Sequence, residues 1–130
     1  TSVLKRSNFK FAILSAELRL TQSTKEAVKA KLAGFVARRK STQPLGASMG
    51  SMFKNPPGDY AGRLIEAAGL KGTNIGNAEI STVHGNFFIN HGDTKAADIR
   101  ALIELVQRTV ADKFGKKLEL EIEMIGDWDV

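Results

Sequence analysis

Residues 50–72 read GSMFKNPPGDYAGRLIEAAGLKG, and the two halves of this stretch follow different rules. From Gly50 to Pro57 glycine, serine, lysine, asparagine and a proline pair crowd together. Proline fixes its own backbone and glycine accepts conformations that other residues avoid, so this half reads as an ordered turn. It gathers the Ser51 hydroxyl, the Lys54 ammonium and the Asn55 amide within five residues, a proton donor, a charge and a hydrogen-bond pair on a stiffened loop. Beyond it the pattern becomes helical over about 60–68, with Asp59 as the expected N-cap, Leu64, Ile65 and Ala68 on one face, and Gly69 as the stop.

Upstream, residues 41–58 hold all three prolines and several glycines, too many for a regular element, and a domain boundary is expected near Pro44. Before it, Ser23-Thr24-Lys25-Glu26 reads as a capping box. Ala27, Val28, Leu32, Phe35 and Val36 follow at helical spacing, and Arg38-Arg39-Lys40 closes the element, which predicts a helix over roughly 24–39. Phe9 to Leu20 is apolar and ends in alternation, which predicts a strand.

Downstream, two short strands are expected near 77–81 and 86–90, then a cap at Asp93 or Thr94 and the longest helix, Lys95 to Phe114. Ile99, Leu102, Ile103, Val106 and Val110 make its continuous apolar stripe, which is core, and Gly115 ends it. Leu118, Leu120, Ile122 and Met124 alternate with Glu119, Glu121 and Glu123, the pattern of a half-buried strand with one carboxylate face. Spacing alone does not choose among the three glutamates. Strands and helices mixed without a regular βαβ rhythm point to an α+β fold. The expected domains are 1–43, a strand plus a helix, and 44–130.

The 130 residues suffice for one domain with a core, or one domain and the tail of another. No apolar run approaches the length of a bilayer span. The absence of cysteine excludes disulfides, thiolate nucleophiles and cysteine-ligated metal, and a reducing, cytoplasmic setting is the expectation. Thr1 opens the chain without methionine or a targeting pattern, so it is expected to be part of a longer protein. The net charge of +5 is lopsided: residues 1–63 carry 12 Lys/Arg against 3 Asp/Glu, and residues 64–130 carry 7 against 11. One reading of the basic half is a noncatalytic anion- or nucleic-acid-binding module. Nucleic acid is the weaker partner, because one Trp and one Tyr give no interleaving of stacking aromatics with basic residues. His84 and His91 lack carboxylates at ligand spacing, so no metal site is expected. The glycine fingerprint of dinucleotide folds and the phosphate-loop pattern are both missing.

Three stretches in order, ASMGSMFKNPPGDYAGRLIEAAGLKG, IGNAEISTVHGNFFIN and FGKKLELEIEMIG, together resemble the C-terminal part of the UDP-N-acetylenolpyruvoylglucosamine reductase (MurB) family, over nearly the whole chain. The opening TSVLK is similar to the residues after that family's Tyr-Arg pair, and FAILSAELRL to the strand closing its flavin-binding portion. The short stretch between Leu20 and Ser51 resembles the compact subclass that lacks an inserted loop. The resemblance implies a substrate-binding domain of this type, preceded by a strand and a helix from the end of the flavin-binding domain. The main flavin-binding region and the catalytic arginine would precede Thr1.

The implied function is a flavoenzyme step of peptidoglycan precursor synthesis: NADPH reduces FAD, and the reduced flavin passes hydride to UDP-N-acetylglucosamine enolpyruvate, giving UDP-N-acetylmuramate. Ser51 would be the proton donor to the carbon beside the carboxylate, with Lys54 as its candidate helper. Glu121, four residues before Ile125-Gly126, would be a general acid or would stabilise the enolate with the missing arginine. Asn55 and His84 would contact substrate, and Lys71 would meet the UDP diphosphate. The chain alone, without FAD and the N-terminal region, is expected to be inactive. Residues 1–20 would leave an apolar edge.

Overall fold

A computed structural model of the chain describes residues 12–128. It contains helices α1 (Lys25–Thr42), α2 (Ala61–Ala67) and α3 (Ala96–Phe114) and strands β1 (Asn74–Ile75), β2 (Ala78–Ile80) and β3 (Phe88–Asn90). The chain groups into two compact units, divided between Ala33 and Gly34.

In the first unit residues 12–20 have no regular structure, and Ile13, Leu14, Leu18 and Leu20 are exposed. The strand expected over 9–20 is therefore not formed in its described part; Phe9 to Phe11 lie outside the described residues. Alternation marks a segment suited to a sheet, but a strand exists only where another pairs with its N–H and C=O groups. α1 starts one residue later than the capping box implied. Thr24, not Ser23, caps it, its Oγ1 accepting from Ala27 N at 3.2 Å while its carbonyl accepts from Val28 N at 3.0 Å. No residue of α1 is buried.

The second unit is built on a three-stranded antiparallel sheet in the order β1-β2-β3. Asn74 faces Glu79 across the first pair, and Ile80 faces Phe88 across the second. β1 escaped the sequence pattern because it is only two residues long. Gly76, which turns β1 into β2, has φ +55, and a Cβ there would run into the Asp98 carboxylate. Only glycine fits. α3 packs on β1, β2 and α2, burying Leu102, Ile103, Val106 and Val110 with Ile99 half-buried beside them, as the stripe implied. Ala78, Ile80 and Phe88 meet that stripe from the sheet, and Met52, Phe53, Leu64, Ile65 and Leu118 complete the core. The architecture is α+β.

Both helix starts in this unit differ from expectation by a residue or two. α3 begins after Lys95, whose N–H donates to Asp98 Oδ2 at 3.1 Å, while Asp93 turns out at φ +51. Neither Asp93 nor Thr94 is the cap. α2 has Tyr60 at its N-cap, without a side-chain cap bond from it. Asp59 is drawn away instead: its carboxylate accepts from Arg63 Nε at 2.7 Å and from Tyr60 N at 2.7 Å. At the other end of α2, Lys113 of α3 donates to the Ala68 carbonyl at 2.8 Å, placing a cation where the helix dipole is negative. α3 ends at Gly115, φ +62, whose N–H reaches Ala111 O.

The strand expected over 118–124 is reduced to one antiparallel bridge, Phe53 to Leu120, flanked by Lys54 N to Glu119 O at 2.8 Å and Glu121 N to Met52 O at 2.9 Å. Met52 and Phe53 are both buried, which breaks the pleat of the partner segment, and Pro56-Pro57 then turns it away. Burial still alternates, with Leu118 inside, Leu120 and Ile122 half-buried, and Glu119 and Glu121 exposed.

Candidate functional site

Asn86 organises the loop that carries Ser51. It is 4% exposed, and its side-chain amide behaves like one more residue of a β-ladder. Oδ1 accepts from Phe53 N at 2.9 Å and Nδ2 donates to Phe53 O at 2.8 Å, while its own carbonyl accepts from Met52 N at 2.9 Å. The next residue, Phe87, bridges Ser51. Ser51 is exposed, on a segment fixed from one side by Asn86-Phe87 and from the other by Leu120-Glu121.

Asn55 sits at the far end of the same loop, where its Oδ1 accepts from Ala61 N at 3.0 Å and satisfies one of the open N–H groups of α2. The loop between them closes as a turn, Asp59 N to Pro56 O at 3.2 Å, with Gly58 at φ +75 after Pro57. Proline followed by a left-handed glycine is the signature of a type II turn.

His84 is half-buried on the loop after β2. Ser81, 2% exposed, shapes that loop, its Oγ accepting from Val83 N at 3.1 Å and His84 N at 3.3 Å. Asn86 N donates to His84 Nδ1 at 3.2 Å. With Nδ1 an acceptor, the neutral ring carries its proton on Nε2. The ring stands edge-on to Phe87, centroids 5.0 Å apart, and lies so close to α2 that a Cβ on Gly62 would be 2.8 Å from Cε1.

Ser51, His84 and the backbone of Glu121 are thus joined through Met52, Phe53, Asn86 and Phe87, while Asn55, two residues beyond Phe53, is held by α2. The two lysines are engaged elsewhere. Lys54 pairs with Glu119 at 3.2 Å, so the bridge sets its ammonium on that carboxylate, and Lys71 pairs with Glu66 at 3.1 Å beyond the C-terminal end of α2. The Arg63 guanidinium, then the Tyr60 N–H, hold the Asp59 pKa down at about 2. Among the described residues no three His, Asp or Glu side chains gather as a metal site needs, and no helix is long and apolar enough to cross a membrane. A cavity of about 430 Å³ lies elsewhere, walled by Phe88, Ile99, Ile103, Ile122 and Trp128 among others, with none of the candidate residues on its lining.

Sequence reasoning missed Asn86. Its only signal was an amide between Gly85 and the Phe87-Phe88 pair, a polar residue inside an otherwise apolar run.

The class defined by these features is a small antiparallel α+β domain whose polar groups gather on a loop–helix–hairpin cluster. The family model for the C-terminal domain of UDP-N-acetylenolpyruvoylglucosamine reductase matches residues 41–125. The chain belongs to that family. It is 51% identical over 113 residues to the reductase of Chloroflexus aggregans, covering 87% of this chain and 38% of that protein. Against the reductase of Halalkalibacterium halodurans it is 44% identical over 128 residues, 98% of this chain and 42% of that one. The crystal structure of the Thermus caldophilus reductase aligns with a TM-score of 0.67 at 43% identity, over 81% of this chain and 37% of that chain. The chain therefore spans well under half the length of these relatives.

Proposed function

We propose that this chain supplies the substrate side of an NADPH- and FAD-dependent UDP-N-acetylenolpyruvoylglucosamine reductase acting in peptidoglycan synthesis in the cytoplasm. In this reading residues 1–43 end the flavin-binding domain and 44–130 form the substrate domain. FAD and NADPH enter through the family, and every role below concerns this chain's own groups.

The observation that carries the reading is the Phe53–Leu120 bridge, which lays the Ser51 loop against the Glu121 segment. A double bond reduced beside a carboxylate needs a proton at the α-carbon and stabilisation of the enolate charge. Exposed Ser51 supplies the proton, and Glu121, one residue pair away across the bridge, acts as the general acid or enolate partner. His84, with its proton on Nε2, offers a neutral donor to substrate, and Asn55 offers an amide whose oxygen is already held by α2. Lys71 and Lys54 give point charges, Lys71 for the diphosphate. Each must exchange its present carboxylate partner, Glu66 or Glu119, for an anionic ligand.

The test is Ser51→Ala in the full-length reductase. Flavin reduction by NADPH is expected at the wild-type rate, and reoxidation by UDP-N-acetylglucosamine enolpyruvate is expected to fall roughly 10²–10⁴-fold, the usual contribution of a positioned acid. Normal reoxidation would sink the assignment of Ser51.

A further inference from the structure

We infer that Asn86 is the positioning residue of this site, setting Ser51 through the Met52-Phe53 backbone and His84 through its ring nitrogen; the inference rests on the reductase reading above. Each of its polar groups is committed. The backbone N–H goes to His84 Nδ1 at 3.2 Å and the backbone carbonyl takes Met52 N at 2.9 Å. The side chain closes a two-way pair with Phe53 at 2.9 and 2.8 Å. A residue holding a loop needs one such bond; this one joins two separate segments that carry candidate chemical groups.

The coupling extends one step in each direction. Met52, gripped at its N–H by Asn86, presents its carbonyl to Glu121 N at 2.9 Å. Phe87, which follows Asn86, bridges Ser51 and stacks edge-on against His84. A shift of Asn86 therefore moves the hydroxyl, the glutamate segment and the imidazole together. Gly85 makes the seat possible, since a Cβ there would stand 3.0 Å from Gly62 O and 3.2 Å from Ile65. Burial makes the seat rigid: Asn86 is almost wholly shielded from solvent, and removing either half of its amide orphans a buried backbone group of Phe53.

A misplacement of about 1 Å costs on the order of 10²-fold when geometry limits a step. Asn86→Asp is nearly isosteric and keeps the oxygen that accepts from Phe53 N, but loses the donor to Phe53 O. In the full-length reductase this variant is expected to retain flavin and its reduction by NADPH, while reoxidation by the enolpyruvyl substrate slows about 10²-fold through kcat, with little change in KM. Its solvent deuterium isotope effect should rise as proton delivery becomes limiting.

The double variant Asn86→Asp/Ser51→Ala should lose less than the product of the two single losses, because Asn86 acts in part through that hydroxyl. Equal losses in both half-reactions, or normal reoxidation in a folded Asn86→Asp beside a defective Ser51→Ala, would overturn the positioning role and leave the reductase reading standing. Normal reoxidation in Ser51→Ala would instead remove the assignment of Ser51 on which the inference rests. A measurement independent of any variant is the ¹⁵N shift of the His84 ring in the wild-type protein. Protonation at Nε2 is expected, and an Nδ1-protonated neutral ring would contradict the Asn86 contact.

Discussion

Helix α1 and helix α3 are nearly equal in length, 18 and 19 residues, and each carries apolar residues at helical spacing. In α3 that stripe is the core: Leu102, Val106 and Val110 are fully buried. In α1 nothing is buried, and Val28, Leu32, Phe35 and Val36 keep between 45% and 63% of their exposure. Periodicity says which face of a helix can be buried; it does not say that a partner is in place. α1 therefore rests on local terms, namely the Thr24 cap, Glu26 in its first turn and Arg39 and Lys40 in its last. α3 rests on packing, with capping as a supplement.

The largest effect that could break this contrast is a truncation on each stripe. Leu102→Ala should destabilise the fold by about 2–5 kcal/mol, the range for a buried leucine, and Leu32→Ala by less than about 1 kcal/mol, as for exposed positions. Urea unfolding followed by circular dichroism checks both. Equal losses would mean that α1 is packed in solution.

Glycine gives the contrast an opposite sign. Gly34 lies inside α1 with nothing within 4 Å of a built Cβ and no positive φ, so Gly34→Ala should stabilise by about 0.5–1 kcal/mol. A Cβ on Gly76 would run into the Asp98 carboxylate, and the residue sits at φ +55, so Gly76→Ala should cost about 1–3 kcal/mol. Melting temperatures of the two variants should therefore move in opposite directions.

The smallest effect belongs to α2, which mixes a buried face with a solvent-exposed ion pair. The Asp59 pKa is lowered from 3.8 to about 2, so the folded state binds this proton less readily than the unfolded one. Its contribution is complete above the unfolded value and is lost as the pH falls through about 2. The stability difference between wild type and Asp59→Asn should be constant near neutrality and close across that window in pH-dependent unfolding. A difference unchanged down to the bottom of the window would assign Asp59 another role.

The parts of the fold legible in sequence were those fixed by local chemistry. The α3 stripe and its Gly115 stop were legible because burial enforces a 3.6-residue period and a left-handed C-cap selects glycine. The start of α2 shifted by one residue because Asn55, six positions before Ala61, supplies the cap and leaves Asp59 to Arg63. No local rule contains that exchange. The alternation over 12–20 was real, but pairing is a property of two segments and only one was in view. At the candidate site, spacing found the Ser51 loop, yet it left Glu119, Glu121 and Glu123 equivalent, and only the family resemblance singled out Glu121. The structure separates two of them: Glu119 holds Lys54 with its carboxylate, and Glu121 is tied by its backbone to Met52. Asn86 stayed hidden because an asparagine after His-Gly reads as a turn residue until its burial is known.

The close approach of His84 to Gly62 has a practical consequence for anyone redesigning this domain. Gly62 is helical and its φ is unexceptional, so its own backbone would accept alanine. The glycine is written there by a ring that arrives from a different loop. A stabilisation campaign guided by helix propensity would choose position 62 early, gain a firmer α2, and evict the imidazole from its notch.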